Sequence, residues 1–414
     1  MTISVLFLIS VCSINFSLPC LPLLPDNPDF FADGDHFFSI YYRFALVLVF
    51  FADFLYIFRN LLPGRAMKRN RIILDAMGGD NAPHEIIKGA VLACKESPSL
   101  QVLLVGQENQ IKENLKKLDI SGLNFEIFPA SEIVTMKDPP KIAVEEKTDA
   151  SINVACRILA DGEGEALVSA GNTGATILSC AKHLPKIEGV ERGALAAIFP
   201  AMKQKHSDPG RTIMLDVGAT LNCSVAQLIQ FATMGIHYAK EVFEIEQPRI
   251  GLLNIGEEET KGHDVLVETY SLLKKIEHAQ FIGNIEGKDI MRGVADVIVC
   301  EGMIGNIVLK ALEGAAEMGI ETGKRIWKKS LMAKLGLTLL APMLKKIKKR
   351  VDYSEYGGAP ILGFEKLVIK AHGRSKAKAI KNALLMAEGS LKHDLLLHIK
   401  HDIFKYNQIF FQVY

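Results

Sequence analysis

The sequence predicts an α/β fold: a large, mostly parallel sheet covered by helices. Two observations carry this. From Arg71 onward an apolar run repeatedly ends in Gly, Asn or Asp and is followed by a helix-compatible segment. The runs are also continuous rather than alternating, as in strands buried on both faces. The first run, Ile72–Gly79, leads into the amphipathic Glu85–Cys94, and Val102–Gly106 follows. Next, Ile152–Leu159 precedes Ala166–Gly171, and Ile213–Gly218 precedes Ser224–Ala239. Ile250–Gly256, Val265–Leu273, Phe281–Asn284 and Val297–Gly302 complete the series. Strands alternating with helices of this length are the βαβ pattern. Open parallel sheets bind ligands at the carboxyl ends of their strands, so the polar turns are expected to gather on one edge as one pocket.

Composition narrows the function. The formal charge of the 414 residues is +1, so nothing global points to nucleic acid. Seven cysteines are scattered without a Cys-x-x-Cys pair, which suits buried thiols in a reducing compartment and argues against structural zinc. Residues 1–66 differ in kind: Met1–Pro25 is apolar without a basic start, and Phe37–Phe58 is aromatic-rich but interrupted by Arg43 and Asp53. A membrane anchor, a targeting segment and translated sequence ahead of a start at Met67 compete, and the last is preferred. Residues 67–390 read as one large α/β unit; the tail, residues 391–414, matches no pattern.

Five polar turns are candidates for chemistry. Asp75-Ala-Met-Gly78-Gly79-Asp80 is glycine-dense enough for close backbone approach to a ligand, or Asp80 caps the helix that starts near Pro83. Gly171-Asn172-Thr173-Gly174 opens a helix and could hold an anion on unpaired N–H groups, though it fits neither nucleotide-binding glycine pattern and could equally be a plain turn. Asn254 and Lys261 flank three glutamates beginning at Glu257, and a lysine there could pair with phosphate. Asn306 and His372 close the set, His372 alone being more often structural than catalytic. Leu331–Val351 carries Leu335, Leu339, Met343, Ile347 and Val351 at helical spacing, with a basic block from Lys345 to Arg350 and Pro342 as a kink or break. That reads as a membrane-surface helix, or a surface helix packed on the core or a partner subunit.

Together these segments resemble the phosphate acyltransferases that convert acyl-carrier-protein thioesters to acyl phosphates. The matching stretches are Asp75–Asp80, Ser169–Ala175, Gln230–Gly235, Leu252–Glu259 with Lys261-Gly262, Gly305-Asn306, Gly357–Pro360 and Ala371–Gly373, in order from Arg71 to Ala387. Glu301, where Asp is more usual, and Arg374, where a small residue is, depart from the pattern. The resemblance implies a sheet like that of phosphotransacetylases and isopropylmalate dehydrogenases, usually homodimeric. It also implies a peripheral enzyme at the inner face of the cytoplasmic membrane, feeding a glycerol-3-phosphate acyltransferase, without cofactor or metal. Inorganic phosphate would be the nucleophile. The expected roles are Gly171–Gly174 as its seat, Lys261 as charge neutraliser, Asn254 or Asn306 as oxyanion donor, and His372 as the acid for the leaving thiolate. Asp75, Gly78, Gly79, Asp80 and Glu257 complete the substrate contacts. Transfer from a coenzyme A thioester, a metal- and nicotinamide-dependent dehydrogenase, and a non-catalytic acyl-sensing scaffold are the alternatives.

Overall fold

The computed structural model describes residues 70–411 except 205–209, 277, 352–354 and 356; the expected N-terminal extension lies outside the described residues. Residues from Arg69 onward make one compact unit. Its eleven strands are β1 (Asn70–Asp75), β2 (Leu100–Gly106), β3 (Phe125–Pro129), β4 (Ala166–Ser169), β5 (Ala194–Pro200), β6 (Arg211–Leu215), β7 (Arg249–Leu253), β8 (Gln280–Ile285), β9 (Val297–Val299), β10 (Ala359–Leu362) and β11 (Leu367–Lys370). They form one sheet in the order β3-β2-β1-β4-β11-β10-β5-β6-β9-β7-β8.

The continuous apolar runs do bury both faces. Along β1, Ile73 faces one core while Ile72 and Leu74 face another. Along β6, Met214 faces the first while Ile213 and Leu215 face a third. The first face is covered by α4 (Ser151–Ala160), α5 (Thr173–His183) and α8 (Gly302–Lys329). On the opposite face lie α1 (His84–Glu96) and α10 (Ala377–Lys392), and, over the other half of the sheet, α6 (Val225–Glu241), α7 (Asp264–Leu273) and α11 (Leu395–Phe411). Short α2 (Glu108–Leu115) and α3 (Pro140–Glu146) complete the layers, with α9 (Leu331–Val351) following α8. The tail without a sequence pattern is thus mostly helix. Leu395, Ile399 and Ile403 of α11 are buried, and Asp402 meets His237 of α6 at 2.8 Å.

One feature of the topology corrects the expectation of a single edge. β1, β2, β3, β4 and β11 are mutually parallel. β10 is antiparallel to both β11 and β5, and β5 is antiparallel to β6. Consequently β6, β9, β7 and β8, parallel among themselves, run against the first five strands. Ladder hydrogen bonds satisfy the backbone equally well either way, but the carboxyl ends now emerge on opposite edges of the sheet.

At the second edge Asp216 ties the loop that follows β6. Its carboxylate accepts from the N–H groups of Leu195, Gly218, Ala219 and Thr220 and from the Thr220 hydroxyl, at 2.8–3.1 Å. The first turn of α8 packs directly on this loop. A Cβ on Gly305 would fall on the Asp216 carbonyl oxygen and 2.9 Å from the Cys300 sulfur. Gly305→Ala should therefore destabilise the fold by about 2 kcal/mol or more, the scale of an overpacked core. Urea unfolding would show it; a midpoint equal to the parent's would contradict the close approach.

Candidate active site

β1 ends in Asp75, whose carboxylate is 1% exposed. It is held by three donors: the Ser151 hydroxyl at 2.6 Å, the Met77 N–H at 3.2 Å and the Ser169 hydroxyl at 2.7 Å. Burial pushes its pKa up, against these hydrogen bonds and nearby Lys370, which lower it. Ser169, at the end of β4, in turn accepts the Gly171 N–H at 3.1 Å. The turns after β1 and β4 touch through their backbones, since a Cβ on Gly78 would meet the Asp75 carboxylate and lie 2.8 Å from the Gly171 nitrogen. Gly79 has φ +103°, a conformation that favours glycine.

The turn after β11 is laced into the same place. The Asp80 N–H donates to the Gly373 carbonyl at 2.9 Å, and the Asn81 amide donates to the carbonyls of Arg374 and Ser375, both at 3.2 Å. Asp80 thus does not cap α1, which begins after Pro83 without a side-chain cap. The His372 Nδ1 accepts the Arg374 N–H at 3.1 Å, so the neutral ring carries its proton on Nε2. Burial lowers the His372 pKa, and its Nε2 lies 3.8 Å from Glu313 of α8.

Within Gly171–Gly174 the donors divide. The Asn172 side chain caps α5 by accepting the Ala175 N–H at 3.1 Å, and its amide donates to the carbonyls of Met136 and Asp138. Gly174 is packed under Pro140, 2.6 Å from where a Cβ would stand. Two first-turn N–H groups, those of Thr173 and Gly174, have no acceptor among the described residues. They point the positive end of the helix dipole at the loops just described. Beside these loops opens a cavity of about 450 Å³, lined among others by Met77, Gly79, Asp80, Ile133 and Met136.

Asn254, Glu257, Lys261 and Asn306 belong to the other edge. The Asn254 side chain is spent within its own loop, donating to the Lys261 carbonyl at 2.9 Å and accepting the Ile255 N–H at 2.8 Å. Lys261 is exposed, 3.9 Å from Glu258. Glu257 lies near Glu286 and Asp289, but Lys288 stands 3.5 Å from Glu257 and 2.5 Å from Glu286, so the trio is already compensated. Asn306, near the start of α8, packs on Gly218. Further along α8, Glu313 meets His372, and Glu317 pairs with Arg374 at 2.7 Å, so one helix connects the two edges.

The residue that sequence reasoning passed over is Lys370, the last of β11. It is 6% exposed. Its ammonium donates to the Ala371 carbonyl, and burial lowers its pKa to about 8. The signal was present: a lysine ends the apolar run Leu367-Val-Ile, inside the strand rather than in the turn after it.

With this geometry in view, comparison with known proteins is specific. Residues 70–397 match the family model described as "Fatty acid synthesis protein". A phosphate acyltransferase of Thermoanaerobacter pseudethanolicus is 44% identical over 333 residues, 80% of this chain and 97% of that protein. Another, from Dictyoglomus turgidum, is 47% identical over 322 residues, 78% of this chain and 94% of that protein. In fold the chain is similar to a phosphotransacetylase from Streptococcus pyogenes, with a TM-score of 0.52 at 15% identity, covering 78% of this chain and 95% of that one.

The Asp75 knot gives a direct test. Asp75→Ala leaves two buried hydroxyls and an N–H without their acceptor and should cost about 3 kcal/mol. Asp75→Asn should also change the pH dependence. A carboxyl with a raised folded pKa holds its proton where the unfolded chain has lost it. Its contribution to stability is therefore present at low pH and declines as pH rises above the ordinary carboxylate value. The amide variant should lack that decline, as pH-dependent unfolding midpoints would show.

Proposed function

The chain belongs to the phosphate acyltransferase family, and from that premise we propose how this acyltransferase moves a fatty acyl group to inorganic phosphate for phospholipid synthesis. The donor in this reading is the thioester of acyl-carrier protein, and the acyl phosphate passes to a glycerol-3-phosphate acyltransferase. A phosphate oxygen bonds to the thioester carbonyl carbon, the carbon–sulfur bond breaks, and the carrier thiolate leaves with the electron pair and takes up a proton. The observation that carries this is the set of strand ends laced around the open N–H groups of Thr173 and Gly174.

The protein's own nucleophiles support the same reading. The hydroxyls of Ser151 and Ser169 are both committed to Asp75. Burial raises the thiols of Cys94, Cys223 and Cys300, Cys94 to about 12, and a contact with Cys156 raises that of Cys180. None is activated as a nucleophilic cysteine would be. The protein's part is then to position phosphate and stabilise the charge that develops on the carbonyl oxygen. We place the phosphate at Gly171–Gly174, with Asp75, Gly78, Gly79 and Asp80 shaping the seat. His372, neutral at pH 7, stands beside this seat as a hydrogen-bond donor to the leaving sulfur, and the thiolate takes its proton from water. Asn306, near the start of α8, and Lys261 and Glu257 fall to the second edge, and Asn254 serves to shape their loop.

Two surfaces extend the proposal. No helix among the described residues is long and apolar enough to cross a membrane. α9, however, exposes Met332, Leu335, Leu339, Leu340 and Met343, which supports a peripheral contact with the inner membrane surface. Side chains of 344–351, the basic block with Ile347 and Val351, lie outside the described residues. The helix continues through Pro342 instead of dividing there. The apolar Met303, Ile304 and Ile307 exposed on α8 suit the surface of a second copy in a homodimer.

The test is mass spectrometry of the product from long-chain acyl-carrier protein and phosphate, with the coenzyme A thioester in competition. Acyl phosphate formed preferentially from the carrier protein is the expected result. Preference for the coenzyme A thioester would reassign the donor, and free fatty acid alone would overturn the mechanism.

A further inference from the structure

Asp75, Ser169 and Lys370 stand at the ends of three neighbouring strands. Ser169 and Lys370 are direct register partners. One step back along each strand pair, Ile73, Leu167 and Val368 face the same core, so by the two-residue period of a strand all three polar residues share that face. Asp75 and Ser169 are bonded to each other, and Ser169 is bonded to the Gly171 N–H. Lys370 is next in the row, yet no carboxylate among the described residues lies within ion-pair distance of it. Its neighbours' charges are accounted for. Asp75 is occupied by three donors, and Lys310 of α8 pairs with Glu313 at 2.8 Å. Glu313 also faces His372, and Arg374 is held by Glu317. Asp75, and more weakly Asp80 in the loop after β1, favour the charged lysine across space without pairing with it.

A buried ammonium with one carbonyl acceptor is costly, because Asp75 and Asp80 act on it only across space and no carboxylate bonds it directly. The structure keeps such a group beside a glycine turn whose first helical N–H groups also lack acceptors. Both deficits are met by one tetrahedral dianion. We propose that Lys370 is the cation that holds inorganic phosphate, and the phosphoryl end of acyl phosphate, in concert with the N–H groups of Thr173 and Gly174. This rests on the reading of the site given above and gives Lys370 the charge-neutralising role that the sequence had suggested for Lys261.

Lys370→Met tests it in the full chain, with three measurements. The thermal midpoint should equal or exceed the parent's, since an apolar side chain of similar length replaces a buried charge that no carboxylate bonds directly. Affinity for inorganic phosphate, by calorimetry without acyl donor, should fall roughly 100-fold, and KM for phosphate should rise in parallel while KM for the acyl donor holds. A folded variant that binds phosphate like the parent overturns the assignment. If the methionine variant does not fold, Lys370→Arg decides. The parent's phosphate affinity should fall as pH rises past about 8, where the ammonium loses its proton; arginine, charged throughout, should abolish that fall. An arginine variant with the parental pH profile also overturns the proposal. Calorimetry needs no turnover, so it judges Lys370 even if the parent releases no acyl phosphate, which would count against the proposed function instead.

Discussion

Between β11 and β6 the sheet carries two strands, β10 and β5, each hydrogen-bonded against its neighbours. Their direction sets the direction of everything beyond them. With β5 and β10 included, six strands deliver their carboxyl ends to one edge and five to the other. Loops of similar composition therefore acquire different surroundings. The turns after β1, β4 and β11 meet and bind one another, whereas the loops after β6 and β7 gather around the start of α8. That helix, lying across the sheet, is the structural link between the two sets.

Each edge is organised by a buried carboxylate. Asp75 collects donors from β4, α4 and its own turn; Asp216 collects them from the start of β5 and the loop that follows it. In both cases burial alone would favour the neutral acid, and the converging donors oppose it. In both, glycine neighbours let backbone approach the carboxylate: Gly78 and Gly171 at one knot, Gly302 at the other, where Gly305 also packs on the Asp216 carbonyl. Such knots fix loops more rigidly than apolar packing does, because each donor has a direction. A rigid first edge is what a reaction governed by positioning requires.

Seven of the eleven strands were legible, because burial on both faces leaves runs such as Ile72–Leu74 and Val297–Val299 with no polar interruption; β3, β5, β10 and β11 were not among the runs read. Helices α1, α4, α6 and α7 fall within a residue or two of their apolar periodicity. The reversal was not legible, since β5 and β10 have the same composition whichever way they run. For the site, glycine density located Gly78, Gly79 and the turn at Gly171. It did not separate N–H groups already spent, such as that of Gly171, from those still open. Asn254 shows the complementary limit: an amide at a strand end looks like a ligand donor until its partners within the loop are seen. Lys370 was missed because reading by turns attends to the residues after a strand, not to its last one.

β11 and β10 occupy the fifth and sixth places of the eleven-stranded order, yet among the described residues only two helices, α10 and α11, follow them in the chain. During synthesis, β1 to β4 and β5 to β9 can each begin to pair on their own. They cannot become one continuous sheet until the strands near residue 370 have left the ribosome and slid between them. The seam so closed also flanks the turns at Gly78 and Gly171, with Lys370 at its end. Long-range closure of this kind is slow for entropic reasons. A chain cut short before that point would expose two unpaired strand edges, β4 and β5, as templates for association with other chains.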